Sequence, residues 1–574
     1  MRKIKLAILS VLLLGSYACK ESFLEVLPTG SLAKNQLTTL AGLEGAVLAT
    51  YAQLSGLSNY AAGPSNWVWG SIRGGDANKG TDPGDFSDIN PIQTFAYTPT
   101  LTFIADAYRG HFDGVSRANN ALILLSEAQP DVKPEDIARM TAEVRFLRAH
   151  YYFQLKRNFN MVPYVDETND VTNGIELVPN NVDLWPKIEA DLQAAVDVLP
   201  ETFGSAGRVN KWAAMSYLAK VYMFQNKFSE AKALFDQIIA NGVTTSGVKY
   251  ALLPTYSSIY RVANDNSSES IFAVQATVGS GDGNNANSDL QLNFIQGSDP
   301  GTCCGFFQPS FTFVNSFRTD ANGLPLLDES YNSDANAVKN DMGIESSTEF
   351  TLDTGNLDPR LDHTVGRRGI PFMDWGVHRG QSMIRNQPNG GPYSPKKYLF
   401  TKAEKESGLT ETGGWGHQTY NAYNVTIIRY ADVLLMAAEA EIEVGSLAKA
   451  LEYTNMIRSR ASVASDYVMD EDGNPAANYN IGLYDSFPDK DFARKAVRFE
   501  RKLELGMEGY RFYDLVRWGT DVDEISRYLA YDSQFLPGAL GEGKYEARHA
   551  LLPIPQGQID LVGSDILVQN PDFN

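Results

Sequence analysis

The sequence predicts a mainly α-helical protein: a tetratricopeptide-like helical-repeat scaffold carrying a large loop-rich lobe with short strands. Three observations predict it. Helical periodicity of apolar residues is dense before Val243 and after Asn424; between them it fades, and Gly, Asn, Asp and Pro become frequent. The run Ala219-Lys-Val-Tyr222…Phe228-Ser-Glu-Ala231…Phe235…Ile238 has tetratricopeptide spacing, and Ala438…Gly445-Ser-Leu447…Ala450…Ile457 approximates it again. Small alanines let paired helices approach, Phe235 and Ile238 fill the space between them, and each pair needs neighbours to bury its faces. Finally, no apolar run after residue 18 is long enough to span a bilayer, and 574 residues suffice for a large core.

In chain order, residues 1–18 read as a lipoprotein signal peptide. Arg2, Lys3 and Lys5 form a basic start, Leu6 to Leu14 an apolar stretch, and Gly15-Ser-Tyr-Ala18 precedes Cys19. Ser16 stands where a Leu is typical. Cleavage would leave a lipidated Cys19, followed by an extended tether over 19–36. Helices are predicted at Leu37–Leu54, Leu101–Ala128, from Pro134 to about Asn158, and at Val182–Leu199. Asn59–Tyr97 reads as loop. The lobe runs over about 243–424, with a strand expected at Glu269–Gln275. Helical repeats lie mainly in 37–241 and 425–530, and residues 462–490 form a second insert. Its Asp470-Glu-Asp-Gly473 reads as a turn rather than a metal site.

The two ends of the stretch 427–518 are the most characteristic. Ile427-Ile-Arg-Tyr-Ala-Asp-Val-Leu-Leu-Met-Ala-Ala-Glu-Ala-Glu441 is an amphipathic helix. In Val497–Trp518, Phe499, Leu503 and Met507 stack at i, i+4, and Glu508, Arg511, Asp514 and Arg517 make an alternating-sign ladder. Gly506 and Gly509 allow a bend there. These charges read as ion pairs that orient helices.

The wording of these helices resembles the SusD/RagB family of starch-binding-protein-like nutrient-binding lipoproteins of the outer membrane. Leu551-Leu-Pro-Ile-Pro-Gln556, Gln569-Asn-Pro571 and Phe23-Leu-Glu-Val26 fit the same pattern, in the same order. The resemblance implies one SusD-like domain over 37–574 with about four helix pairs, near 37–128, 135–200, 210–241 and 427–460. It implies a lipid-anchored protein facing the cell exterior that captures oligosaccharides and hands them to a SusC-like TonB-dependent transporter. Lys20-Glu21 is similar to the short charged signal that directs such lipoproteins to the surface.

Sugars present flat C–H faces edged by hydroxyls, so binding them calls for aromatic platforms with planar polar groups beside them. Three glycine-rich segments offer that mixture. The first holds Trp67, Trp69, Arg73, Asp76 and Asn78; the two tryptophans read equally well as core plugs. The second is Gly301-Thr-Cys-Cys-Gly-Phe-Phe-Gln-Pro309, where Cys303 and Cys304 could close a vicinal disulfide beside Phe307. The third holds Trp375, Arg379, Arg385 and Trp415, again with core as the alternative for the tryptophans. The shared loop face, not a helix groove, is the expected site.

A formal charge of -20 argues against nucleic acid and anionic lipid partners and favours a neutral or weakly cationic ligand. His363, His378 and His417 lack ligand spacing, and no metal or other cofactor is expected. No nucleophile elbow, phosphate loop or zinc-protease motif appears, so the chain is not expected to be an enzyme. A glycoside hydrolase or transglycosylase of helical build stays open, since that chemistry needs only two carboxylates. A peptide- or protein-binding repeat scaffold is the other alternative.

Overall fold

The computed structural model describes residues 33–58, 60–169, 177–281, 285–295, 303–413 and 418–573. Cys19, His417 and Trp415 lie outside them.

After a single turn of helix at Lys34–Leu37, α1 (Leu40–Ala52) starts where Thr39 caps it, its hydroxyl accepting from the Gly42 N–H at 3.2 Å. Then come α2 (Thr102–Ser126), α3 (Pro134–Phe159), α4 (Trp185–Val198), α5 (Lys211–Met223) and α6 (Phe228–Asn241), each packed on the one before. In α3, Pro134 and two acids occupy the first turn and Lys156 and Arg157 the last, as the helix dipole favours. After the lobe, α7 (Tyr430–Val444) docks on α6, and α8 (Leu447–Ala461) and α9 (Lys490–Leu505) pack on α7. The repeat positions Ala219, Ala231, Phe235, Ile238, Ala438, Ala450 and Ile457 are all fully buried. Shorter helices follow, among them α10 (Arg511–Trp518) and α11 (Asp521–Asp532).

The lobe is held by short antiparallel strand pairs. β1 (Ala77–Gly80) pairs with β3 (Phe306–Pro309), aligning Asn78 with Gln308. β2 (Ser270–Val274) pairs with β8 (Val425–Arg429), which runs straight into α7. β4 (Val365–Gly366) pairs with β5 (Ser394–Pro395), and β6 (Thr410–Thr412) with β7 (Gln418–Asn421). In the second insert, the Asp470 carboxylate accepts from the backbone N–H groups of Asp472 and Asn474, closing a turn on Gly473.

Two expectations need correcting. Asn59–Tyr97 is not plain loop: Trp67–Ile72 form a buried helical turn and Ala77–Gly80 a strand. The run 497–518 is not one bent helix, because Met507 and Gly509 take positive φ of 67° and 78° between α9 and α10. Close approach dictates this turn. A Cβ on Gly70 would lie 1.8 Å from the Gly509 carbonyl oxygen, and one on Gly509 2.0 Å from that of Ser65.

The charge ladder is likewise mostly between elements. Asp514 and Arg517 do pair at 2.8 Å, but Arg511 reaches Glu524 on α11 at 2.9 Å. Glu508 is clasped by Arg429 (2.9 Å) and Lys397 (2.8 Å), all three buried. Arg429 also binds Glu269 at 2.8 Å and Glu504 at 2.7 Å. Arg360 joins Glu504 to Glu500 and Asp358, and Arg460 joins Glu504 to Glu269.

Burial alone would raise the Glu508 carboxyl, but Arg429 and Lys397 outweigh it and hold it down to about 2. Its folded value is therefore below its ordinary 4.5, so it contributes stability above pH 4.5 that is lost as pH falls toward 2. Glu508→Gln is expected to cost on the order of 3 kcal/mol at neutral pH. Denaturation curves of parent and variant should converge over that acidic window; a gap independent of pH would refute the assignment.

Candidate functional site

The first predicted segment is structural. Trp67 and Trp69 are about 1 % exposed, and Arg73, Asp76 and Asn78 are fully buried. Trp67 packs edge-on against Phe306 and Phe307, with ring centroids 6.2 and 5.7 Å away. Trp69 donates its indole N–H to the Ala61 carbonyl at 2.7 Å. The Arg73 guanidinium lies 3.7 Å over the Phe512 ring and donates to the His549 carbonyl. Asp76 accepts from the Met507 N–H at 3.1 Å, and burial, only partly offset by Arg511, raises its carboxyl to about 6. Asn78 accepts from the Tyr528 hydroxyl at 2.9 Å. None of the five presents a side chain to a surface ligand. Phe307, also buried, belongs with them.

What that buried block does is carry a surface. Pairing of β1 with β3 delivers Cys303 and Cys304, joined as a vicinal disulfide, to the end of β1. Cys303 is part-exposed and Cys304 buried. Beyond β1, the Lys79 ammonium donates to the carbonyls of Asp82, Pro83 and Asp85 at 3.1, 3.3 and 2.7 Å, curling that acidic loop around itself. Burial pushes this ammonium down to about 8 against the pull of Asp85 and Asp82. Arg385 binds Asp82 at 2.7 Å and Asp85 at 2.5 Å, and donates to the Thr81 hydroxyl (2.9 Å) and the Cys304 carbonyl (3.4 Å). The Asn389 amide clamps the Gly80 and Thr81 carbonyls at 2.8 and 2.9 Å. The second and third predicted segments are thereby brought together on the first.

Two aromatic residues that the sequence did not single out complete this face. Phe86 is 38 % exposed and takes a φ of 47°, costly for a bulky residue. Its ring meets Tyr60 edge-on at 5.8 Å and rests on Phe103 at 5.7 Å. Tyr60 in turn accepts from the Gln291 amide at 2.6 Å. A large ring between the loop acids Asp85 and Asp88 was the only sequence signal for Phe86.

Trp375 is half-buried: its N–H donates to the Phe400 carbonyl at 3.1 Å, and its ring meets Phe400 at 6.3 Å. Phe400 contacts Phe294, which bridges to Cys304, so Trp375 stands two ring contacts from the disulfide. Arg379 is exposed on the same loop, whereas its neighbour His378 is buried against Ser394. Asp374 caps the helix at 402–406, accepting from the Lys402 and Ala403 N–H groups. The division between buried base and exposed face can be measured. Trp67→Ala is expected to cost about 3–5 kcal/mol, and Arg379→Ala to change stability by less than about 0.5 kcal/mol. Equal effects in urea titrations would contradict the division.

The family model described as the SusD family matches residues 268–573, and a second, described as starch-binding associating with outer membrane, matches 87–223. A SusD-like protein, P2, from Formosa agariphila is 26% identical over 100% of both chains. Among solved structures, a SusD superfamily protein from Bacteroides vulgatus aligns with a TM-score of 0.68 at 20% identity, covering 93% of this chain and 99% of its own. Surface glycan-binding protein A from Bacteroides thetaiotaomicron, in complex with laminarihexaose, aligns with a TM-score of 0.60 at 20% identity, covering 93% of this chain and 100% of its own. The family match takes in more than half of the sequence, from the strand that pairs with β8 to the C-terminal residues, and on it the chain belongs to the SusD family.

Proposed function

We propose that this protein is a cell-surface lipoprotein of the outer membrane, anchored through Cys19, that binds an extracellular glycan without catalysis and passes it to a SusC-like TonB-dependent transporter. The observation that carries the binding role is the face around Phe86. An exposed ring, backed by Tyr60, stands where Arg385, Asp82 and Asp85 hold one another beside the Cys303–Cys304 disulfide. Rings offer stacking to sugar C–H faces, and fixed guanidinium and carboxylate groups offer directional bonds to hydroxyls. Trp375 and Arg379 are proposed as its outer edge, and Trp415, outside the described residues, as a further glycan-contacting residue. The laminarihexaose-bound relative supports a glycan as the ligand class, and the family's description supports the outer membrane. No helix among the described residues is long and apolar enough to cross a membrane, in keeping with attachment through the N-terminal lipid.

Calorimetric titration of the protein lacking its signal peptide with a panel of neutral oligosaccharides, laminarihexaose among them, tests this reading. Phe86→Ala and Arg385→Ala are each expected to weaken binding roughly tenfold or more. Bound oligosaccharide should be recovered at its original length. Unchanged affinity in both variants would displace the site, and shortened product would show an enzyme instead.

A further inference from the structure

Helix α9 turns two charged faces to different surroundings. Glu500, Arg501 and Glu504 point into the ion-paired interior. Lys495, Arg498 and Lys502 recur at i, i+3 and i+7, so they form one stripe. All three line a single cleft of about 390 Å³ between α9, the loop at 327–331 and the start of α11. A further cavity of about 290 Å³ shares Lys502, Tyr331 and Arg511 with it and reaches Gly74 and Gly75.

Among the described residues, none of the three stripe cations forms an ion pair. Four acids line the cleft with them: Glu524 is held by Arg511 at 2.9 Å and Glu329 by Arg527 at 2.6 Å, Asp328 accepts from the Ser330 N–H and hydroxyl, and Asp523 is exposed at its rim. Lys502 is the telling member. Its residue is 7 % exposed, and its one polar contact is the Tyr331 hydroxyl at 3.5 Å. Its ammonium also stands 5.0 Å from the Tyr331 ring and 5.8 Å from that of Phe499. Asp76 acts on it from the buried side, and Glu524, Glu329 and Arg511 from the cleft. Burial, reinforced by Arg511, pushes the ammonium down to about 8. Arg498 lies 5.0 Å over the Trp518 ring, and the acids nearest it are held by other arginines: Glu439 by Arg517 and Glu443 by Arg494. A buried ammonium with donors to spare is costly unless something accepts them.

We infer that this cleft binds a small oxyanion, a carboxylate, sulfate or phosphate group, between the Lys495–Arg498–Lys502 stripe and Arg511. The anion is either free or a substituent of an acidic sugar. The site shares no lining residue with the face around Phe86, so it can be right whether or not that face binds glycan.

Calorimetric titrations at constant ionic strength, balanced with chloride, separate the sources: sodium sulfate as the free anion, sodium glucuronate as the sugar acid. Saturable one-site binding is expected for at least one, with glucuronate the tighter if the anion arrives on a sugar. Lys502→Met should weaken it about tenfold or more. Because that ammonium has no ion-pair partner, the variant should fold at least as stably as the parent. Lys495→Glu reverses an exposed charge at the cleft without touching the core and should also weaken binding severalfold. The inference fails if neither anion saturates, or if Lys495→Glu and every Lys502→Met preparation that folds bind like the parent.

Discussion

The fold depends on one buried guanidinium. Arg429 sits at the junction of β8 and α7, and its N–H groups reach Glu269 from the start of the lobe, Glu504 from α9 and Glu508 from the turn after it. These four residues come from three distant parts of the chain, and each carboxylate is buried. In such surroundings an ion pair gains little over apolar packing, but a lost partner leaves an uncompensated charge. The network therefore acts less as a source of stability than as a condition on geometry. β2 must pair with β8 in the register that sets Ser270 opposite Arg429, and α9 must end where Glu504 and Glu508 both face inward.

That condition propagates to the candidate site. With Glu508 fixed, the 506–510 turn presses on the 65–72 segment through the Gly70–Gly509 approach, which drives Trp67 inward against Phe306 and Phe307. β1 leaves this block paired to β3, and beyond the buried Thr81 the residues Asp82 to Phe86 emerge at the surface with the disulfide alongside. Lys79 and Arg385 then fix the acidic loop from two sides. A loop so tied needs little ordering when a ligand arrives, which is how a loop surface becomes a specific one.

The helices were legible because their evidence is local. Alanine and large apolar residues at repeat spacing bury against the next helix wherever the pair is placed, so 211–241 and 430–461 could be read directly. The site was less legible because burial in a glycine-rich segment is decided elsewhere. Nothing near Asp76 or Asn78 shows that Met507 and Tyr528, more than four hundred residues away, will take their polar atoms. The same blindness hid Phe86, whose exposure follows from the path of the loop rather than from any periodicity. Cys303, Cys304 and Arg385 stand out in the sequence because adjacency and charge are visible without knowledge of the path.

The contrast between the two faces of α9 shows why net charge is a poor guide to an individual site. A chain of charge -20 repels anions at long range. At contact distance the outcome rests on local pairing, and here arginines hold Glu524 and Glu329, two of the four acids that line the cleft. Arg501 and Arg517 between them hold Asp514, Asp432 and Glu439, and Arg511 holds Glu524. Carboxylates around this helix are thus held by arginines that fix the fold, while Lys495, Arg498 and Lys502, in no ion pair among the described residues, face an open cleft. Screening by salt damps that repulsion beyond about 10 Å, while the short-range donors of a buried ammonium persist. The same helix can in this way lock the scaffold on one side and leave cations for a ligand on the other.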